Sequence, residues 1–140
     1  MLIDDNKIDI FINQRVIEKY DPNIKISAFN DVMAALSFLD GVENCRMGIQ
    51  PPQIILLDIN MPGMNGFAFF SEFKRKQKLA GQEILIFMLS SSCCPNDIQK
   101  AEKEPLCAGY IIKPLNIEKL KDAFSELQNM NCPKEFKKIV

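Results

Sequence analysis

The sequence contains no histidine and no tryptophan in its 140 residues. Without histidine, imidazole-based triads, HExxH zinc chemistry and a role as phosphohistidine carrier are all excluded, since each needs that ring. An excess of one sign of charge is missing too, because 17 basic side chains face 18 acidic ones and the net charge is -1. Composition therefore supports no polyanion-binding surface, and no nucleic-acid partner is expected. No apolar run approaches the ~20 residues that cross a bilayer, and no signal-peptide pattern is visible. No membrane partner is expected, and the expected location is cytoplasmic. Cysteine occurs at 45, 93, 94, 107 and 132, an odd count with no CxxC pair. A disulfide framework and zinc-ligand spacing are both absent, so reduced thiols are the expected state. Cys93 and Cys94 are adjacent and would bond each other only with strain.

What is present suits one ordinary domain. Hydrophobic residues make up 47% and charged residues 25%, enough for a core that needs neither metal nor disulfide. Short apolar runs alternate with amphipathic stretches. Residues 1–3, 24–29, 54–57, 84–89 and 110–112 read as strands. Those at 54–57 and 84–89 are unbroken apolar runs, as in central parallel strands covered on both faces. A first helix is expected over 7–20, with Ile8, Ile12 and Val16 as its buried stripe and Asp5 or Asn6 as its cap. Asn30 or Asp31 caps a second helix, whose stripe is Val32, Ala35, Leu36 and Leu39 and which Asp40-Gly41 ends. Phe67, Phe70 and Phe73 mark a third, closed by Lys74, Arg75, Lys76 and Lys78 at the negative end of its dipole. Pro95 opens a short fourth helix through Ala101. Ile117, Leu120, Phe124 and Leu127 mark a fifth. Residues 41–53 are long for a connection and have no assigned role, while 129–140 read as a tail behind a domain spanning 1–128. The expected fold class is α/β, a doubly wound five-stranded parallel sheet with helices on both faces.

Ligands of such sheets bind beyond the carboxyl ends of the strands. Asp4 and Asp5 follow the first strand, Asp58 the third, Ser90 the fourth and Lys113 the fifth. Carboxylates gathered there repel one another unless a cation compensates. Mg²⁺, a hard ion that takes oxygen ligands and bridges to phosphate, is the expected cofactor. A carboxylate at a strand end can also act as a nucleophile and form an aspartyl phosphate. The transferred phosphoryl group then needs several positive or donor groups, and Mg²⁺, the Lys113 ammonium and the Ser90 hydroxyl supply three. Asp58 is accordingly read as the acceptor, with Asp4 and Asp5 as metal carboxylates and Asn60 lending its backbone carbonyl. Singly, each has a plainer role: Asp5 as a helix cap, Asp58 and Ser90 in turns, Lys113 as a surface charge. Their joint arrival at strand ends in this order favours the functional reading.

The segments Leu2-Ile3-Asp4-Asp5, Leu56-Leu57-Asp58-Ile59-Asn60-Met61-Pro62-Gly63-Met64-Asn65-Gly66, Met88-Leu89-Ser90-Ser91 and Ile112-Lys113-Pro114-Leu115 resemble the receiver domain of two-component response regulators. The resemblance covers residues 1–128. It implies a flavodoxin-like sheet of order 2-1-3-4-5 and a phosphoryl group received on Asp58 from a phosphohistidine of a sensor histidine kinase or phosphotransfer protein. Mg²⁺ would sit on Asp4, Asp5, Asp58 and the Asn60 carbonyl, and Lys113 would pair with the phosphoryl group. A cis Lys113–Pro114 bond is implied as well. Ser90 and Tyr110 map onto the family's switch, the aromatic ring rotating inward when the hydroxyl is drawn to the phosphoryl oxygen. That event remodels the face of helix four, strand five and helix five, where a downstream protein partner docks. Asn60 and Ser92 occupy positions that, in the family, tune dephosphorylation.

Two features depart from the family. Only three residues precede the acidic pair, so a truncated start is one expectation, and the 41–53 segment is longer than usual. No output segment follows residue 128, which gives the expectation of a free-standing bacterial receiver, monomeric or weakly dimeric; a receiver cut from a larger protein is the alternative. Beyond self-directed phosphotransfer and autodephosphorylation no enzyme activity is expected. A haloacid-dehalogenase-like phosphatase would need a second aspartate where Asn60 stands. A phosphorylation-independent scaffold would leave the intact site without a purpose.

Overall fold

A computed structural model describes residues 1–43, 50–75, 84–128 and 136–140. The chain runs β1 (Leu2–Ile3), α1 (Lys7–Tyr20), β2 (Ala28–Phe29), α2 (Val32–Glu43), β3 (Ile54–Asp58), α3 (Gly66–Arg75), β4 (Leu85–Ser90), α4 (Pro95–Glu102), β5 (Cys107–Ile112), α5 (Ile117–Gln128) and β6 (Lys137–Ile139). All strand pairs are parallel, and the order across the sheet is β2-β1-β3-β4-β5-β6. The expected doubly wound α/β architecture is therefore found, with one strand more than the five read from sequence. Cys45, Cys132, Lys76, Lys78, residues 44–49 of the 41–53 connection and the side chain of Leu127 lie outside the described residues.

The central strands β3 and β4 are apolar up to their last residues because each face of the sheet is covered, and successive side chains point to opposite faces. On one side Ile55, Leu57, Ile86, Met88 and Tyr110 meet α2 and α3 through Val32, Ala35, Leu36, Leu39, Phe69, Phe70 and Phe73. On the other, Leu56, Phe87, Leu89 and Ile111 meet α1 and α5 through Ile17, Leu120 and Ala123. Short polar side chains set the helix starts. Asn6 Oδ1 accepts from the Ile8 N–H at 3.0 Å, Asp31 Oδ2 from Ala34 at 2.8 Å, Asn65 Oδ1 from Ala68 at 3.0 Å and Asn116 Oδ1 from Lys119 at 2.9 Å, each satisfying a first-turn donor. Asn6 rather than Asp5 caps α1, which leaves Asp5 for other work.

Several expectations are corrected. The second strand is two residues long instead of spanning 24–29, because β1 offers only Leu2–Ile3 to pair with. Helix α2 passes through Gly41 to Glu43, whereas Asp40-Gly41 had read as its end. The assumed tail contains β6, which joins the edge of β5 at Gly109↔Lys137, Tyr110↔Lys138 and Ile111↔Ile139. A Cβ on Gly109 would stand 2.5 Å from the Lys137 carbonyl oxygen, so the bare backbone there admits the added strand. Helix α1 has the predicted ends but a different buried face. Ile8 and Ile12 are 68% and 46% exposed, while Asn13 and Ile17 are buried.

Candidate functional site

The carboxyl ends of β1, β3, β4 and β5 gather one polar group each. Asp4 follows β1 and is 2% exposed; its Oδ1 accepts from the Asn6 N–H at 2.9 Å. Asp58 ends β3 and is 6% exposed. The loop after it folds back closely. Gly63 turns at φ +80°, a left-handed conformation that favours glycine, and the Gly66 N–H donates to the Ile59 carbonyl at 2.9 Å. A Cβ on Gly66 would lie 2.6 Å from the Asp58 carbonyl oxygen. That glycine lets α3 start directly against the site strand.

Ser90 ends β4 fully buried, its Oγ accepting from the Ser92 N–H at 3.0 Å. Its carbonyl accepts from the Lys113 N–H at 2.8 Å, which ties the ends of β4 and β5 together. The Lys113–Pro114 bond is cis, as the resemblance implied. Lys113 then reaches back over the sheet. Its Nζ donates to Asp4 Oδ2 at 2.8 Å and to Asp9 Oδ2 at 2.8 Å, and stands 3.5 Å from Asp58 Oδ2.

Oxygens of Asp4, Asp5 and Asp58 lie within 4.8 Å of one another. Burial raises the Asp58 pKa and the Asp4 charge raises it further, against the opposing pull of Lys113 and of the Asn60 and Ile59 backbone N–H groups. Burial works against the Lys113 ammonium, but its hydrogen bonds to Asp4 and Asp9 and the charge of Asp58 outweigh that, and its pKa is raised. The pocket thus holds more negative charge than the lysine alone offsets. Three carboxylate oxygens with no sulfur among them fit a hard divalent cation such as Mg²⁺.

The other expected residues fall around this centre. Asn60 is exposed, and its N–H donates to Asp58 Oδ1 at 3.4 Å. Tyr110 is fully buried with its hydroxyl donating to the Ser92 carbonyl at 2.9 Å. Its ring already points inward, the orientation that the resemblance tied to the activated state. Ser92 is not drawn into the acidic cluster. Its Oγ accepts from the Cys94 N–H at 3.1 Å and lies 3.4 Å from Asp97 Oδ2, facing the start of α4.

Two participants escape the sequence reading. Asp9 is the third residue of α1, where an acid is ordinarily credited to the helix dipole. The signal available was its place one turn beyond Asp5, on the side of the helix that carries Asn13 and Ile17. Lys119 in α5 is buried, and its Nζ donates to the carbonyls of Ile112 and Pro114, bracing the backbone on either side of Lys113. Nothing in the pattern around Lys119 separates it from a surface lysine.

Comparison with known proteins agrees on the class. The family model of the response regulator receiver domain matches residues 1–125. A two-component response regulator from Cytophaga hutchinsonii is 32% identical, with 91% of this chain and 94% of that one covered and a TM-score of 0.81. The two-component response regulator ORR12 of Oryza sativa subsp. japonica is 30% identical over 84% of this chain and 87% of its own length. The phosphorylated cyanobacterial phytochrome response regulator RcpA is 26% identical, covers 92% of this chain and 89% of its own, and has a TM-score of 0.66. No described helix is long and apolar enough to cross a membrane.

Proposed function

The chain belongs to the response regulator receiver family, and we propose that it receives a phosphoryl group on Asp58 and uses it to switch a protein-binding face. The carrying observation is the Asp58 carboxylate, buried at the end of β3 beside Asp4 and Asp5 with the Lys113 ammonium 3.5 Å away. An Asp58 oxygen attacks phosphorus on a phosphohistidine of a sensor kinase or phosphotransfer protein. The P–N bond breaks, its electron pair stays on the imidazole nitrogen, and an acyl phosphate remains on Asp58. Asp4, Asp5, Asp58 and the Asn60 carbonyl are the groups that would hold Mg²⁺, which when bound neutralises charge between the carboxylates and the phosphoryl oxygens. Lys113 and the Ser90 hydroxyl supply the remaining donors.

Readout follows from the same wiring. Ser90 is bonded to Ser92 and to Lys113 through backbone groups, and Ser92 in turn holds the Tyr110 hydroxyl. A shift of the Ser90 hydroxyl toward the phosphoryl group moves the loop before α4 and with it the α4–β5–α5 face, where a downstream protein docks. Turnover of an outside substrate is no part of this reading. The chain carries Asn60 where a haloacid-dehalogenase-like acid would stand, and that Asn60 binds Asp58 by its backbone. The test is incubation with acetyl phosphate and Mg²⁺ followed by mapping of the modified residue. Stoichiometric, hydroxylamine-sensitive labelling of Asp58, lost in Asp58→Asn, is expected. Catalytic release of phosphate from a monoester, or a stable label on another residue, would refute the proposal.

A further inference from the structure

Lys113 is held away from the residue that it is expected to serve. Its Nζ gives 2.8 Å hydrogen bonds to Asp4 and Asp9, while Asp58 stands at 3.5 Å. Asp4 belongs to the acidic cluster, but Asp9 does not. Asp9 comes from α1 and is 33% exposed at its side chain, so no need of the core places it there. One turn further along α1 stands Asn13, 4% exposed, whose Nδ2 is the single buried side-chain atom without a partner among the described residues. An unmet buried donor is unfavourable, and side chains four apart on a helix face are within reach of each other.

We propose that Asp9 is a positioning residue, a latch with two seats: on Lys113 while Asp58 is unmodified, and on the Asn13 amide once a phosphoryl group on Asp58 has taken the lysine. The proposal deepens the phosphoacceptor reading and rests on it. The phosphoryl group carries about -1.5 to -2 of charge where the Asp58 carboxylate carried about -1, and its oxygens reach nearer the lysine, which favours Asp58 over one half-solvated carboxylate in the contest for the ammonium. Asp9 then turns to a donor that the fold holds in reserve. Its effect is to raise the threshold at which the pocket switches, and to couple α1 to that event.

The test is titration of beryllofluoride, an acyl-phosphate mimic, in excess Mg²⁺, read by tyrosine fluorescence in a Tyr20→Phe background. Asp9→Asn is expected to tighten binding several-fold, up to about tenfold, and Asp9→Glu to restore the starting affinity. Asn13→Leu is expected to weaken binding, and to have no further effect once Asp9→Asn is present. Glu18→Gln, an exposed α1 acid bonded to Arg15, reports the loss of charge alone and is expected to change affinity less than about twofold. A second readout needs neither metal nor mimic: the ¹⁵N resonance of the Lys113 ammonium moves in Asp9→Asn and stays in Glu18→Gln. Unchanged or weaker affinity in Asp9→Asn, or an unmoved lysine resonance, overturns the latch even where Asp58 is labelled normally. Binding that persists in Asp58→Asn, or is absent from the unsubstituted protein, instead brings down the acceptor reading and the latch with it.

Discussion

Helices α1 and α3 pack on opposite faces of one sheet and turn different chemistry toward it. The inward face of α3 is Phe69, Phe70 and Phe73, all buried, with Phe69 and Phe73 stacked at 5.6 Å between ring centroids. The inward face of α1 begins with Asp9 and Asn13 and becomes apolar only at Ile17, while Ile8, Phe11 and Ile12 face outward. The reason lies in where each helix starts. Both begin at the carboxyl ends of the strands, but the first turn of α1 borders Lys113, whose ammonium draws Asp9 inward. Near α3 the close approach is made by Gly66, which has no side chain to contribute. One helix supplies cohesion, and the other spends part of its inner face on charge placement.

Four substitutions probe that contrast. Phe70→Ala should cause the largest loss, about 3–5 kcal/mol by chemical denaturation, from lost burial and the cavity left behind. A loss below about 1 kcal/mol would show that α3 is not the cohesive element. Gly66→Ala should cost about 1–3 kcal/mol, since backbone rather than a yielding side chain meets the new methyl group. A wild-type midpoint in that variant would show that α3 starts without the close approach to Asp58.

The third probe concerns the charged end. The folded pKa of Asp58 lies above its ordinary value of 3.8, so the native state favours the proton. Asp58 therefore adds stability below its unfolded pKa and loses it as pH rises through the folded one. Asp58→Asn should have a higher thermal midpoint than the wild-type chain at neutral pH, with the gap closing as pH falls toward 3.8. Mg²⁺ should raise the midpoint of the wild-type chain and not that of the variant. Identical midpoints at all pH values would mean that the acidic cluster carries no strain. The smallest effect belongs to the outer face of α1, where Ile12→Ser should stay within about 0.5 kcal/mol of wild type. A loss several times larger would place Ile12 in a contact that the isolated fold does not show.

Much of the site was legible because it sits where apolar runs stop. Asp58 and Ser90 terminate continuous β3 and β4, and Asp4 and Lys113 follow β1 and β5 directly, so locating the strands located the residues. The α3 stripe was legible in part, since aromatic residues at helical spacing tend to face the core: Phe70 and Phe73 are buried as expected, whereas Phe67 is only partly buried and the fully buried Phe69 was not among those read. In α1 the same rule chose Ile8, Ile12 and Val16 and missed the true face by one residue. Periodicity assumes that the buried side is the apolar side, and near a charged site that assumption fails. Lys119 was hidden similarly, its ammonium satisfied by two carbonyls that no sequence pattern announces. Strand β6 offered three residues with Ile139 as its one buried apolar side chain, too little signal against a basic tail.

The central claim, that Asp58 is the phosphoryl acceptor of this pocket, is tested most directly by transfer from a phosphorylated histidine phosphotransfer domain in the presence of Mg²⁺. The account predicts that the label leaves the donor histidine and appears on Asp58, with none accepted by Asp58→Asn. Transfer that persists in Asp58→Asn, or a label mapped to any other residue, would contradict it.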